Sequence, residues 1–158
     1  MIDIETKFSG DLDSELDKFE ARIKGAIILS GVAAAANVIY ERVKANAPIS
    51  ERAHFFKGQN QTYGPYQPGS LQRAIYRAYA KERSSDGHQV YVVRWRTQKP
   101  PIGVPYGFMV EYGTSKISAN PFMRRALSQM PTAIKAGMTR MSERMLEEDW
   151  NRLASGEN

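Results

Sequence analysis

From Leu12 onward, apolar residues recur at strides of four and three: Leu16, Phe19, Ile23 and Ile27, then Val32, Ala36, Ile39 and Val43. A strand alternates its side chains and cannot gather such a series on one side, whereas a helix of about 3.6 residues per turn does. The spacing predicts one long helix from about residue 12 to 45, bent at Gly25 or Gly31, where glycine lowers helix propensity. Pro48 stops it, because the residue before a proline is pushed out of the helical region. Residues 25–40, GAIILSGVAAAANVIY, carry no charge for 16 residues. That falls short of the ~20 residues of a membrane span, so a buried helix is expected and no membrane partner.

Ahead of the helix, Ile2, Ile4, Thr6 and Phe8 alternate with Asp3, Glu5 and Lys7, the period of a short half-buried strand. The same segment is acidic and holds no apolar run, so no signal peptide is expected. Behind the helix, residues 49–70 are polar and rich in glycine and proline, with scattered aromatics and no usable period, and are expected to form a long loop insert. LQRAIYRAYA (71–80) suits a helical turn, with a strand over 74–80 as the competing assignment. After the turn signal Ser84, Ser85, Asp86, Gly87, the alternation through residues 90–96 predicts a strand with Tyr91, Val93 and Trp95 on its buried face. A connector at 99–103 then leads to a second strand at 106–112, the two forming a hairpin. From Pro121 to about residue 153 the chain is helical in pattern. Phe122, Ala126, Met130, Ile134, Met138, Met141 and Met145 form a stripe expected to be core, or else a partner groove, and Pro131 is expected to kink or split the helix. Residues 154–158 form a frayed tail, and the whole of 1–153 makes a single α+β domain: a small antiparallel sheet packed against a long N-terminal and a C-terminal helix.

Charge is distributed unevenly. Residues 1–20 sum to −5 and residues 42–100 to +8, while the remainder is close to neutral. Such a dipolar chain suits nucleic acid at its middle, or neighbouring copies that fit acidic end to basic middle. With no cysteine there are no disulfides and no thiolate metal sites, and the two histidines, His54 and His88, lie in no ligand spacing; both are expected in loops without a special role. No cofactor or metal is expected. Arg73, Arg77, Arg94 and Arg96 are interleaved with Tyr76, Tyr79 and Trp95 and could face nucleic acid, although a solvated face is the plainer reading. No P-loop, nucleophile-elbow or zincin motif occurs.

The stretch VPYGFMVEYGTSKISANPFMRRALSQ (104–129) is the densest in features. Read as a strand, it points Tyr106, Phe108, Val110 and Tyr112 inward; Gly113 permits a turn, Asn120 caps a helix and Pro121 takes its first position. Glu111 is the only acid between Asp86 and Glu143. A general acid or base ordinarily works with a second titratable group, and none is near in sequence. A salt bridge, with Arg124 or Arg125 as the candidate partner, or an exposed carboxylate is the better expectation for it.

Taken in order, these features resemble the neck and tail-completion (head–tail joining) family of long-tailed bacteriophages. The residues that carry the resemblance are Ala47 and Pro48 at the helix end; Gly69, Ser70, Leu71, Gln72, Arg73, Ala74 and Ile75; Tyr106 through Glu111, Tyr112, Gly113 and Thr114; and Asn120, Pro121, Phe122 and Met123. The combination of Glu-aromatic-Gly-Thr with a following Pro-Phe is its most specific part. The chain departs from the family pattern in the insert between Pro48 and Gly69, and in Ser70 and Ala74. The resemblance implies a non-enzymatic virion protein of the neck or tail, present in the host cytoplasm during assembly. It would form a ring, a hexamer or alternatively a dodecamer, and meet the neck connector, tail terminator or tail tube proteins. Glu111, Tyr112, Gly113, Thr114, Pro121, Phe122 and Arg125 would serve assembly, and Arg73, Arg77, Arg94 and Arg96 would line a DNA channel or an interface. The alternative is a small basic nucleic-acid-binding module; a hydrolase stands behind both.

Overall fold

The structure, a computed structural model, describes residue 17 and residues 23–58, 60–85, 87–98 and 103–155. The strand expected at 2–8, most of the helix expected before residue 23, the acidic N-terminal segment, residues 99–102 and the last three residues lie outside the described residues.

A turn at Ile23–Ile27 is kinked at Gly25 (φ −96°, ψ −117°) and leads into α1, Ile28–Asn46. Of the two glycines, Gly25 is therefore the bend. Gly31 is buried inside α1, where an added Cβ would stand 2.3 Å from Met141 Cγ and 2.9 Å from the Gly137 carbonyl oxygen. By length and composition alone the segment Gly25–Asn46 could cross a membrane. Ala47 closes α1, its N–H donating to the carbonyls of Val43 and Lys44 at 3.0 and 3.2 Å.

The stretch expected as a loop is instead a hairpin, β1 (His54–Lys57) paired antiparallel with β2 (Thr62–Tyr66). Phe56 and Tyr63 face each other across it, ring centroids 6.2 Å apart, so the scattered aromatics are cross-strand pairs. His54 accordingly lies in a strand rather than a loop. Both assignments for 71–80 occur in succession: α2, Ser70–Ala74, runs directly into β3, Ile75–Tyr79. β3 pairs antiparallel with β4, Tyr91–Trp95, from Ile75 opposite Trp95 to Tyr79 opposite Tyr91. Val93 and Trp95 pack against the core, as their alternation predicts.

β4 has no partner at 106–112, which is the short helix α3, Gly107–Tyr112. Seven residues cannot separate a period of two from one of about 3.6. What decides is packing: Gly107 and Glu111, one turn apart, are buried, while Phe108 and Tyr112, expected inside, are exposed. The chain continues through α4, Phe122–Ala126, and a 3-10 turn at Leu127–Gln129 into α5, Met130–Ser155. The expected split therefore falls just before Pro131, which sits in the first turn of α5 where a missing N–H is harmless. Ala154 and Ser155 continue α5 rather than fray.

α5 packs antiparallel along α1. The expected stripe is buried only in part: Phe122 and Ala126 are core and Met141 packs on Gly31, whereas Met130, Ile134 and Met138 are exposed and the helix instead buries Ala133 and brings Gly137 to Gly31. Two antiparallel two-stranded sheets and the helices make an α+β fold whose described core gathers Val43, Leu71, Ile75, Val104 and Phe122.

Candidate assembly site

Gly107 opens α3 directly beneath the Trp95 indole; a Cβ there would lie 2.5 Å from Nε1. This contact fixes the start of α3. Gly113 ends it with φ +77° and ψ 178°, a backbone state essentially confined to glycine. An added Cβ would also meet the Ala119 nitrogen at 2.8 Å and the Ile117 oxygen at 2.9 Å. The chain then folds back on itself: Thr114 Oγ1 accepts the N–H groups of Lys116 and Ile117 at 3.2 and 3.1 Å, and Asn120 N–H donates to the Val110 carbonyl at 2.7 Å.

That return brings Glu111 under the start of α4. Its side chain is 2% exposed, so of its two expected states it is not the exposed carboxylate. One carboxylate oxygen accepts the Met123 N–H at 2.9 Å; the other accepts the Arg124 N–H at 3.1 Å and Arg124 Nε at 3.1 Å. Arg124 Nη2 donates in turn to the Glu111 carbonyl at 2.9 Å, and its guanidinium lies 5.0 Å from the centre of the Tyr112 ring. The first free N–H groups of a helix need an acceptor and welcome negative charge, so a buried carboxylate is stable here. Glu111, rather than Asn120, caps α4, and Pro121 stands at the cap position instead of inside the helix. Asn120 Oδ1 instead accepts a hydrogen bond from the exposed Arg125, whose Nε also donates to the Pro121 carbonyl at 3.3 Å.

The structure thus brings together Glu111, Gly113, Pro121 and Phe122, the last fully buried with its ring 5.7 Å from that of Trp95. Tyr112, Thr114 and Arg125 sit on the outside of the same joint, Tyr112 beside Phe108 at 4.9 Å. Of the two arginines, Arg124 is the ion-pair partner of Glu111, at 3.1 Å. Both carboxylate oxygens are engaged by donors, and the arrangement holds the backbone at the start of α4.

The four basic candidates do not form one patch. Arg73 bends back to the Pro68 carbonyl at 3.0 Å, and Arg77 reaches the Ala33 carbonyl on α1 at 3.2 Å. Tyr76 opposite Arg94 places both on one side of the β3–β4 ribbon, and Arg96, two residues on, joins them with its guanidinium 4.9 Å from the Tyr76 ring centre.

Beside the joint, between the β1–β2 hairpin and α3, lies an apolar groove of about 390 Å³. Its walls include Pro48, Phe55, Leu71, Met109, Val110 and Ile117. At its base the Tyr106 ring meets His54 and Tyr66 edge-on, each at 5.0 Å. Burial pushes the Tyr106 phenol up to about 12, helped by Tyr66 and opposed by Arg73. Sequence reasoning missed this groove because its walls come from segments misassigned as loop and strand. Compared with protein-family models, curated proteins and solved structures, the chain matches none.

Proposed function

We propose that this chain is a structural virion protein of a tailed phage, forming a ring at the neck or head-proximal tail end that completes the tail and joins it to the head. The observation that carries the reading is the contact between the two halves of the motif on which the family resemblance rests. Glu111 accepts both N–H groups that follow Pro121 and Phe122, so the separation between the Glu-Tyr-Gly-Thr and Pro-Phe elements has a physical purpose. The same joint leaves Tyr112, Thr114 and Arg125 exposed on its outer side, where a neighbour would meet them. In this reading the chain catalyses nothing and holds no cofactor; its partners are further copies of itself, as a hexamer or dodecamer, and adjacent connector, terminator or tube proteins.

Light-scattering mass and negative-stain images of the purified protein test this. A ring of uniform subunit number is expected. A strict monomer at all concentrations, one that also fails to join tail or neck components, refutes it.

A second reading rests on the face of Tyr76, Arg94 and Arg96. An aromatic ring flanked by two guanidinium groups suits nucleic acid, whether packaged DNA passing the ring or a free ligand of a small binding module. A DNA affinity that falls steeply with salt and is lost in the Arg94→Ala, Arg96→Ala double variant is the expected result. Affinity unchanged by that variant removes the assignment.

A further inference from the structure

We infer that the tip of α5, through Leu146 and Trp150, docks into the apolar groove of a second copy of this chain, head to tail. This rests on the self-assembly reading above and specifies its contact.

Two exposed apolar features motivate it. Leu146 and Trp150, one turn apart on α5, are 70% and 72% exposed. Exposed anchors at positions i and i+4 are what a helix presents to a hydrophobic groove, and tryptophan is prominent among residues that dominate interface energy. The groove is lined mainly by apolar residues, and Phe55 on its wall is itself 65% exposed. Its volume of about 390 Å³ falls within the range of sites that enclose a buried group.

Charge points the same way. Lys57 and Lys116 adjoin lining residues in sequence, and Arg73 donates to the lining Ser70 hydroxyl at 3.4 Å; against Glu51 and Glu111, which also adjoin lining residues, these leave a net +1. Over residues 140–150 of α5, Glu143, Glu147, Glu148 and Asp149 outnumber Arg140 and Arg144, leaving −2. Glu143 and Glu147 flank Leu146 and Trp150 around one shallow concavity.

Geometry excludes the same chain as occupant. Asn46 donates to the Phe122 carbonyl at 3.3 Å, and Gly31 meets Gly137, so α5 runs away from the groove as it passes along α1. Pro48, on the groove wall, lies roughly 25 Å from Gly31 along α1, and Trp150 roughly 20 Å beyond Gly137 along α5. The two features therefore occupy opposite ends of the subunit. A surface at one end that fits a different surface at the other is a heterologous contact, which closes into a ring when the rotation permits.

The chain has no cysteine, so single-cysteine variants carry only the designed thiol. Met109→Cys or Ile117→Cys protein is mixed with Trp150→Cys protein and treated with a short bis-maleimide. A linked dimer in the mixture, and in neither variant alone, is expected. Trp150→Ala, at an exposed position, should keep its circular dichroism spectrum and raise the concentration for half-assembly by roughly tenfold or more. A Trp150→Cys protein that links only to itself overturns the head-to-tail contact. If no link forms while the mass still reports a ring, this contact is wrong and the ring reading stands. Protein that is monomeric throughout overturns both.

Discussion

The buried carboxylate at Glu111 sets a quantitative expectation. Removing it in Glu111→Ala leaves the Met123 and Arg124 N–H groups without an acceptor, at about 1–2 kcal/mol each for a lost cap or unsatisfied donor. The Arg124 guanidinium contributes less, because its side chain is 54% exposed and water can replace the lost partner. The total is about 3 kcal/mol. Glu111→Gln keeps the shape but turns an amide N–H₂ toward donors, and should cost about 2 kcal/mol. Arg124→Ala leaves both backbone contacts in place and should cost about 1 kcal/mol. Urea unfolding at fixed protomer concentration measures all three, and Trp95, whose ring lies 5.7 Å from Phe122, gives a fluorescence signal from the site itself. For a chain of this size, 3 kcal/mol corresponds to a fall in Tm of about 6–12 °C. A Glu111→Ala variant within about 0.5 kcal/mol of the parent would refute the capping argument. An Arg124→Ala cost equal to that of Glu111→Ala would instead place the energy in the ion pair.

Three further expectations rest on particular contacts. Gly113→Ala combines a glycine-only backbone state with Cβ contacts under 3.0 Å, and should lose about 2–3 kcal/mol in the same urea assay; a neutral result would mean the turn relaxes freely. Gly107→Ala drives a methyl into the Trp95 indole and should change the tryptophan emission as well as lower the unfolding midpoint, whereas a change in neither would show that α3 can shift off the ring. The Tyr106 phenol titrates at about 12 when folded against 10.0 ordinarily. Stability from its neutral form is thus fully present below pH 10 and lost as pH rises through 12. An absorbance titration should show a tyrosinate class absent from Tyr106→Phe, and identical curves for the two proteins would contradict the burial argument.

The long helix and the strand at 91–95 were readable in the sequence because each runs long enough to repeat its period. The segment at 106–112 was not, since seven residues that are apolar on both sides are too few to separate the two periods, and the choice came from Trp95 and Glu111 contacts distant in sequence. The 54–66 hairpin was hidden by Gly58, Gly64 and Pro65, which look like loop composition until Phe56 is paired with Tyr63. On α5, counting hydrophobicity chose Met130, Ile134, Met138 and Met141; only Met141 of these packs against α1, and the buried side otherwise used Ala133 and Gly137. Smallness lets backbones approach, and no hydrophobic scale rewards it. The ion pair of Glu111 was narrowed to Arg124 or Arg125, and only the placement of α4 decided between them.

The crossing of α1 and α5 at Gly31 and Gly137 has a mechanical meaning. Most helix pairs meet through a layer of side chains that can change rotamer and let the axes slide. Here a Cβ on either glycine would stand 2.9 Å from the other's carbonyl oxygen, so the backbones bear on each other and the steep repulsive wall resists compression. At this crossing the helix pair resists being pressed closer. In any assembly built from the chain, a load that pushes α1 against α5 would be passed on at this point and not absorbed there.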